Sequence, residues 1–329
     1  MSQSFFDTLD AREKQLARDR TDALTEMLTR WAQRYPSVRM ARVPSVALLT
    51  ATVAPRVSPI DALVSTKLAF WIFGIDDIAD ERTVPLAALE EKARQWCLIA
   101  GDGSGDEVDE TDELDAMFLE IKRDLDTFPL FELLQDYWRQ EVRRFVEAMI
   151  WEYRWGIEYT ARGPDALPTL KEYLNQGLHS ISIPLWAWTI WSAANDPTVC
   201  VYLEPLNLAT EYAGTAVRLY NDLRSYEKEL EEENINSVLI TCQVMRNEHP
   251  HRPVEHLVPQ AKQHVLQLAD AYGQRCIDLV RQVRTDSGQA EEMLSRMVVF
   301  HAYFYGRSRH DYNVTSMRDV YDLLGQSKS

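Results

Sequence analysis

Two short stretches of the chain carry residue types at spacings that suit metal chemistry. The first, "FWIFGIDDIADE", runs from Phe70 to Glu81, its bulky apolar residues leading straight into Asp76, Asp77, Asp80 and Glu81. On a helix Asp76 and Asp80 share a face, above Phe73, Ile72 and Ala69. Carboxylates at a helix C-terminus oppose the negative end of the helix dipole, which argues against mere solvation. The second, "NDLRSYEKE", spans 221–229. Asn221, Ser225 and Glu229 stand at i, i+4 and i+8 and line one helix face over two turns. An amide oxygen, a hydroxyl and a carboxylate are hard donors of the kind Mg²⁺ takes while it keeps several waters. Asn and Ser are weak helix formers, so their joint presence in "AVRLYNDLRSYEKEL" asks for a reason beyond propensity. Taken singly, each stretch also reads as something plainer: a solvated helix end, or a polar surface helix laced with i,i+4 pairs.

The elements that must position these groups are helices. Apolar residues recur at spacings of three and four through 58–80, 86–100, 112–124, 129–160, 168–195, 200–232, 253–284 and 287–307, and strand alternation is nearly absent. Turn and helix-start residues fall at 58–60, 101–113, 162–168, 195–197 and 247–253. The pattern predicts one all-α domain of roughly ten helices, with an N-terminal helical segment over 1–57 and the main bundle over 58–315. Segments such as 129–160 give helices of up to roughly 45 Å. Helices of that length with an aromatic face can enclose a cavity with ligand groups projecting inward.

The 329 residues are 46% hydrophobic, enough for a sizeable core, and the formal net charge of -16 disfavours nucleic acid and anionic membranes as partners. Cys97, Cys200, Cys242 and Cys276 have no paired spacing and fit reduced thiols. No signal pattern opens the chain, and "SISIPLWAWTIWSAA" is too short and too interrupted to span a bilayer. A soluble, cytoplasmic protein is the expectation. "DGSGDEVDETDE" imitates a calcium loop but has Glu107 where glycine is needed and Asp109 where an apolar residue is, so it reads as an acidic connector.

Together, and in this order on an all-α chain, the two motifs resemble the aspartate-rich and NSE-type motifs of class I terpene synthases of the microbial, single-α-domain kind. "DDIAD" matches DDxxD, and "NDLRSYEKE" matches NDxxSxxxE, with Lys228 also in pattern. The resemblance runs from about 60 to 315. It implies a prenyl diphosphate substrate, carbocation cyclisation and a trinuclear Mg²⁺ site that Mn²⁺ can also fill. Asp76, with Asp80 or Glu81, would hold ions from one wall, and Asn221, Ser225 and Glu229 from the other. Arg218, Lys228 and a C-terminal basic residue, Arg307 or else Arg309, would meet the diphosphate. A homodimer is compatible with the resemblance, as is an upstream class II cyclase or prenyl transferase that supplies the substrate.

Two departures bear on the substrate. The helix before the second motif lacks the family's diphosphate-sensing arginine, and His179 is the sole basic residue between Lys171 and Arg218. The C-terminal arginine–tyrosine pair is also altered, to "FYGRSRHDY" with Tyr312 nearby. Both resemble diterpene synthases of the ent-kaurene type and favour a C20 substrate over a C15 one. Pro184 predicts a kink in the 168–195 helix at a cost of about 3 kcal/mol, freeing carbonyls near Ser180 and Ser182, either of which could tune where the cation is quenched. Phe70, Phe73, Trp186, Tyr303 and Phe304 are candidate walls, since aromatic faces stabilise positive charge by roughly 0.5–2 kcal/mol per ring. The rival readings are a chain-elongating prenyl transferase and a helical binding protein without catalysis.

Overall fold

The computed structural model describes residues 5–101, 111–305, 312 and 316–325. Among them are thirteen α-helices and no strand, more helices than the periodicity alone predicts. The chain begins with α1 (Ala11–Ala32) and α2 (Val43–Val53), which pack on α3 (Pro59–Glu81). There follow α4 (Leu86–Ala100), α5 (Glu113–Leu125), the long α6 (Phe131–Arg162), α7 (Leu170–Ser180), α8 (Ile183–Ala194) and α9 (Leu203–Glu231). The last four are α10 (Ser237–Glu248), α11 (Val254–Val280), α12 (Gln289–Phe304) and α13 (Met317–Leu323). Among the described residues, no helix is long and apolar enough to cross a membrane.

Local chemistry sets the boundaries that matter for the site. Ser58 caps α3 by accepting from the Asp61 backbone amide, and Pro59 follows in the first turn, where its missing N–H costs nothing. Arg82 ends α3 in the left-handed region at φ 47°. Asn236 caps α10 through its side chain, which fixes the turn after α9.

The 168–195 segment is two helices rather than one kinked one. Chain direction changes at Ser182, which adopts φ 63°, and Pro184 falls in the first turn of α8. A proline there removes no helical hydrogen bond, so the kink cost expected from the sequence does not arise. Gly214 on α9 lies under this break: a Cβ there would stand 2.6 Å from the Leu178 carbonyl oxygen. Glycine is what lets α9 approach α7 so closely.

One contiguous apolar core runs from Phe5 to Leu324. Leu24, Leu28 and Trp31 of α1 belong to it, so the N-terminal helices are part of the packed body. They also place Arg42, at the start of α2, against the end of α3.

Candidate active site

The end of α3 splits its acidic residues between two faces. Asp76 and Asp80 line the cavity that α3, α6, α7, α8, α9 and α12 surround. Asp77 turns toward the N-terminal helices, where Arg42 donates to both its oxygens at 3.1 and 2.8 Å and Arg39 stands 3.2 Å away. Glu81 is exposed, pairs with Arg39 at 2.7 Å and is not among the residues lining the cavity. The i,i+4 spacing explains both pairs: 76 and 80 share one face, 77 and 81 the next.

The second motif divides in the same way. Asn221, Ser225 and Glu229 line the cavity from α9, whereas Asp222 is fully buried in the bundle. Asp222 accepts from the Tyr173 hydroxyl at 3.0 Å and from the Ser237 backbone amide at 3.1 Å, pinning α9 to α7 and to the start of α10. Asn236 donates to Glu229 Oε2 at 2.6 Å. Ser225 Oγ donates to the Asn221 carbonyl at 2.9 Å, leaving its lone pairs as the donor set a cation would use. The two motifs meet through Asn234, whose Nδ2 donates to Asp80 Oδ1 at 3.3 Å and whose Oδ1 accepts from Arg82 at 2.9 Å.

Bringing these carboxylates into one hollow makes each harder to ionise. Burial, then repulsion from Glu152 and Asp77, raises Asp76 to about 6. Burial followed by Asp222 raises Glu229 to about 7. Asp80 lies well above the usual carboxylate range, through burial and through repulsion from Asp76 on its own wall and Glu229 on the other. Mutual repulsion between opposite walls is the electrostatic signature of a site built for cations. Among the described residues, no three His, Cys, Asp or Glu side chains alone form a metal cage. That suits Mg²⁺, which binds through one or two carboxylates per ion and completes its shell with water and substrate phosphate oxygens. The hard oxygen donors present therefore fit that ion.

Below the acidic rim the walls are largely apolar and aromatic. Ala69, Ile72 and Phe73 continue the α3 stripe, and Trp186 contributes from α8. The hollow measures about 210 Å³, more than ten times the roughly 10–15 Å³ that one water needs, so it can take an organic ligand. Arg218 is buried and lies between Glu152 at 3.1 Å and Asp222 at 3.0 Å, with its Nε 2.8 Å from the Tyr173 hydroxyl. Lys228 lies at the rim, exposed and 3.5 Å from Glu232.

Several residues singled out in the sequence stand elsewhere. His179 holds Glu141 of α6 at 2.9 Å and does not line the cavity, so it is no substitute for the missing arginine. Phe70 packs against Trp31 of α1, and Tyr303 against Phe6. Phe304 is buried between Phe300 and Tyr312. Ser180 and Ser182 do line the cavity, Ser180 donating to Glu152 at 2.6 Å and Ser182 to the Ile181 carbonyl at 2.7 Å. Arg307 and Arg309 lie outside the described residues, as does 102–110 of the acidic connector.

Other lining residues were missed in the sequence. The face of α12 toward the cavity is Met297, His301 and Tyr305, an i, i+4, i+8 stripe that periodicity could have found. Burial pushes the His301 imidazole down to about 4, and its Nε2 is 2.9 Å from the Tyr312 hydroxyl. Arg42, Glu152 and Arg224 also line the cavity, from positions with no local motif to mark them.

Comparison with known proteins adds an independent line. The profile of the family described as terpene synthase family 2, C-terminal metal binding, matches residues 67–271, more than half of the chain. In sequence, no curated protein matches. In structure, the chain is similar to 2-methylisoborneol synthase from Streptomyces coelicolor A3(2) in complex with Mg²⁺ and geranyl-S-thiolodiphosphate. The identity is 16%, the coverage 89% of this chain and 93% of that one, and the TM-score 0.68. It is similar also to a-eudesmol synthase, at 15% identity, 88% and 95% coverage and TM-score 0.64. A third is the SVS_A2 protein from ancestral sequence reconstruction, at 17% identity, 88% and 85% coverage and TM-score 0.68. At these identities the structural likeness speaks to the fold, and the profile match to the family.

Proposed function

The chain belongs to the terpene synthase family, carbon–oxygen lyases that act on prenyl diphosphates, and on that premise we propose that it ionises a C20 diphosphate and guides the resulting cation to a cyclic product. The observation that carries this reading is the convergence of Asp76 and Asp80 with Asn221, Ser225 and Glu229 on one cavity, joined by Asn234. Asp76 and Asp80 would hold metal from one wall; Asn221, Ser225 and Glu229 would hold it from the other. Mg²⁺, when bound, neutralises the diphosphate as the C–O bond breaks.

The chain's own residues do the rest. Arg218 and Lys228 add positive charge on the α9 side, Arg218 one helical turn below Asn221. Phe73 and Trp186 wall the space beneath, which excludes water from a cation that water would otherwise quench. The stretch between Lys171 and Arg218 has no basic residue other than His179, which faces Glu141, and this departure from the family pattern favours the C20 substrate over C15.

Incubation with Mg²⁺ and geranyl, farnesyl, geranylgeranyl or copalyl diphosphate, followed by product identification, tests the proposal. A cyclic product from geranylgeranyl or copalyl diphosphate is the expected result. Preference for farnesyl diphosphate moves the assignment to C15, and preference for geranyl diphosphate moves it to C10. A longer diphosphate product indicates chain elongation. Inertness toward all four indicates a helical binding protein.

A further inference from the structure

Among the described residues, the cavity contains one carboxylate that neither of the two sequence motifs supplies. Glu152 lines it from α6, with a side chain 18% exposed. Its Oε1 is held twice, by the Ser180 hydroxyl at 2.6 Å and by Arg218 Nη1 at 3.1 Å. Its Oε2 has no hydrogen-bonding partner among the described residues. The two partners belong to different elements: Ser180 ends α7 at the chain break, and Arg218 projects from α9. A partly buried carboxylate costs free energy unless it is paired, and Glu152 meets that need through a single oxygen. Here one oxygen fixes the group and the other is left to the chamber.

Chemistry in the chamber needs such a group at one moment. An allylic ionisation makes a carbocation, and the cation must lose a proton or gain a hydroxyl before product can leave. We propose that Glu152 is the base that ends the reaction, with Arg218 and Ser180 as the positioning residues that hold it. The inference rests on the class I reading above. A C–H bond on the carbon beside the cationic centre breaks, and its electron pair becomes the new C=C bond. The proton goes to Oε2 of Glu152, which becomes a neutral carboxylic acid and passes it to solvent as product departs. A carboxylate is a far stronger base than the alkene being formed, so Glu152 can do this while its other oxygen remains bound to Arg218.

The test uses the full chain with Mg²⁺ and whichever of geranyl, farnesyl, geranylgeranyl and copalyl diphosphate it consumes. Diphosphate release and product profile are measured together. The main wild-type product is a hydrocarbon. Glu152→Gln keeps the shape and an oxygen that can accept from Ser180 and Arg218, but it cannot take the proton. It releases diphosphate within about ten-fold of wild type while the share of the parent hydrocarbon falls at least about five-fold, toward isomeric alkenes or alcohols. Glu152→Asp, which retains the carboxylate, keeps the parent hydrocarbon as its main product. A purely structural role predicts the reverse order, with the isosteric Gln closer to wild type than Asp.

Three results overturn the proposal: an alcohol as the main wild-type product, an unchanged profile in Glu152→Gln, or loss of diphosphate release in both variants. The last would assign the carboxylate to ionisation. Should Glu152→Gln fail to fold by circular dichroism, the wild-type product and Glu152→Asp decide, and a changed profile in the latter overturns it. A wild-type chain that consumes none of the four diphosphates brings down the class I reading, and the base with it.

Discussion

Asn234 donates to Asp80 at 3.3 Å and so ties the end of one motif helix to the turn that follows the other. Arg82, which terminates α3, donates to the same Asn234 side chain and to the Glu233 carbonyl. The carboxylates of α3 and the donors of α9 are thereby held on facing walls at a common rim. This geometry permits metal ions on each wall to share one anionic group between them.

Adjacent residues in each motif have opposite duties, and substitution should separate them. Asp76→Ala and Asn221→Ala remove groups that line the cavity and have few structural ties. Each should lower turnover by at least about 100-fold, the scale of a lost transition-state charge contact, with helical content and unfolding midpoint close to wild type. Asp77→Ala and Asp222→Ala should do the converse to stability. Asp222 has no solvent exposure, and its loss takes away one of the two carboxylates paired with Arg218 and the acceptor of the Ser237 amide, on the scale of the ~3–5 kcal/mol lost when a buried pair is broken. Denaturant unfolding and diphosphate release, measured on all four variants, check this.

Metal binding should depend on pH in a defined direction. Asp76 titrates at about 6 and Glu229 at about 7 in the metal-free protein. Cations bind the deprotonated carboxylates, so protons must leave as metal arrives. At about pH 6, Glu229 is mostly protonated and Asp76 about half so, whereas at about pH 8.5 both are ionised. Affinity for Mg²⁺ therefore rises with pH across this window. Calorimetry in buffers of different ionisation enthalpy should show more protons released per chain at the lower pH than at the higher. In the metal-free chain the sign for stability is opposite. The folded state binds more protons than the unfolded one between these pKa values and the ordinary carboxylate range, so the contribution of these two groups to stability falls as pH rises.

Gly214→Ala tests the close approach of α9 to the α7–α8 break. In an exposed helix interior, alanine gains about 1 kcal/mol over glycine. Here the new Cβ would stand 2.6 Å from the Leu178 carbonyl oxygen, a backbone atom that cannot swing aside. The variant should therefore lose stability rather than gain it, and a midpoint raised above wild type would contradict the packing described.

The cavity-facing residues of the two motifs were legible because a helix repeats every three or four residues. Asp76 and Asp80 share a face with Phe73 by spacing alone, and so do Asn221, Ser225 and Glu229. What spacing cannot supply is the phase of a helix against its neighbours. Phe70 is one position off the α3 stripe and meets Trp31 instead. On α12, Tyr303 and Phe304 are the aromatic residues near the C-terminal end, but the face that looks inward is Met297, His301 and Tyr305. Pro184 looked like a kink because its sequence neighbours are helical on both sides; only the left-handed turn at Ser182 makes it a helix start. Glu152 and Arg42 were invisible for a further reason. Each is a single charged residue whose partners, Arg218 and Asp77, lie far away in the chain.

Binding of inorganic diphosphate, with and without Mg²⁺, tests the shared-anion geometry most directly. In the wild-type chain binding should require the metal, and both Asp76→Ala and Asn221→Ala should each abolish it, since the two walls act on one ligand. Binding that is indifferent to Mg²⁺, or that survives in both variants, would contradict the assignment of these walls to a single site.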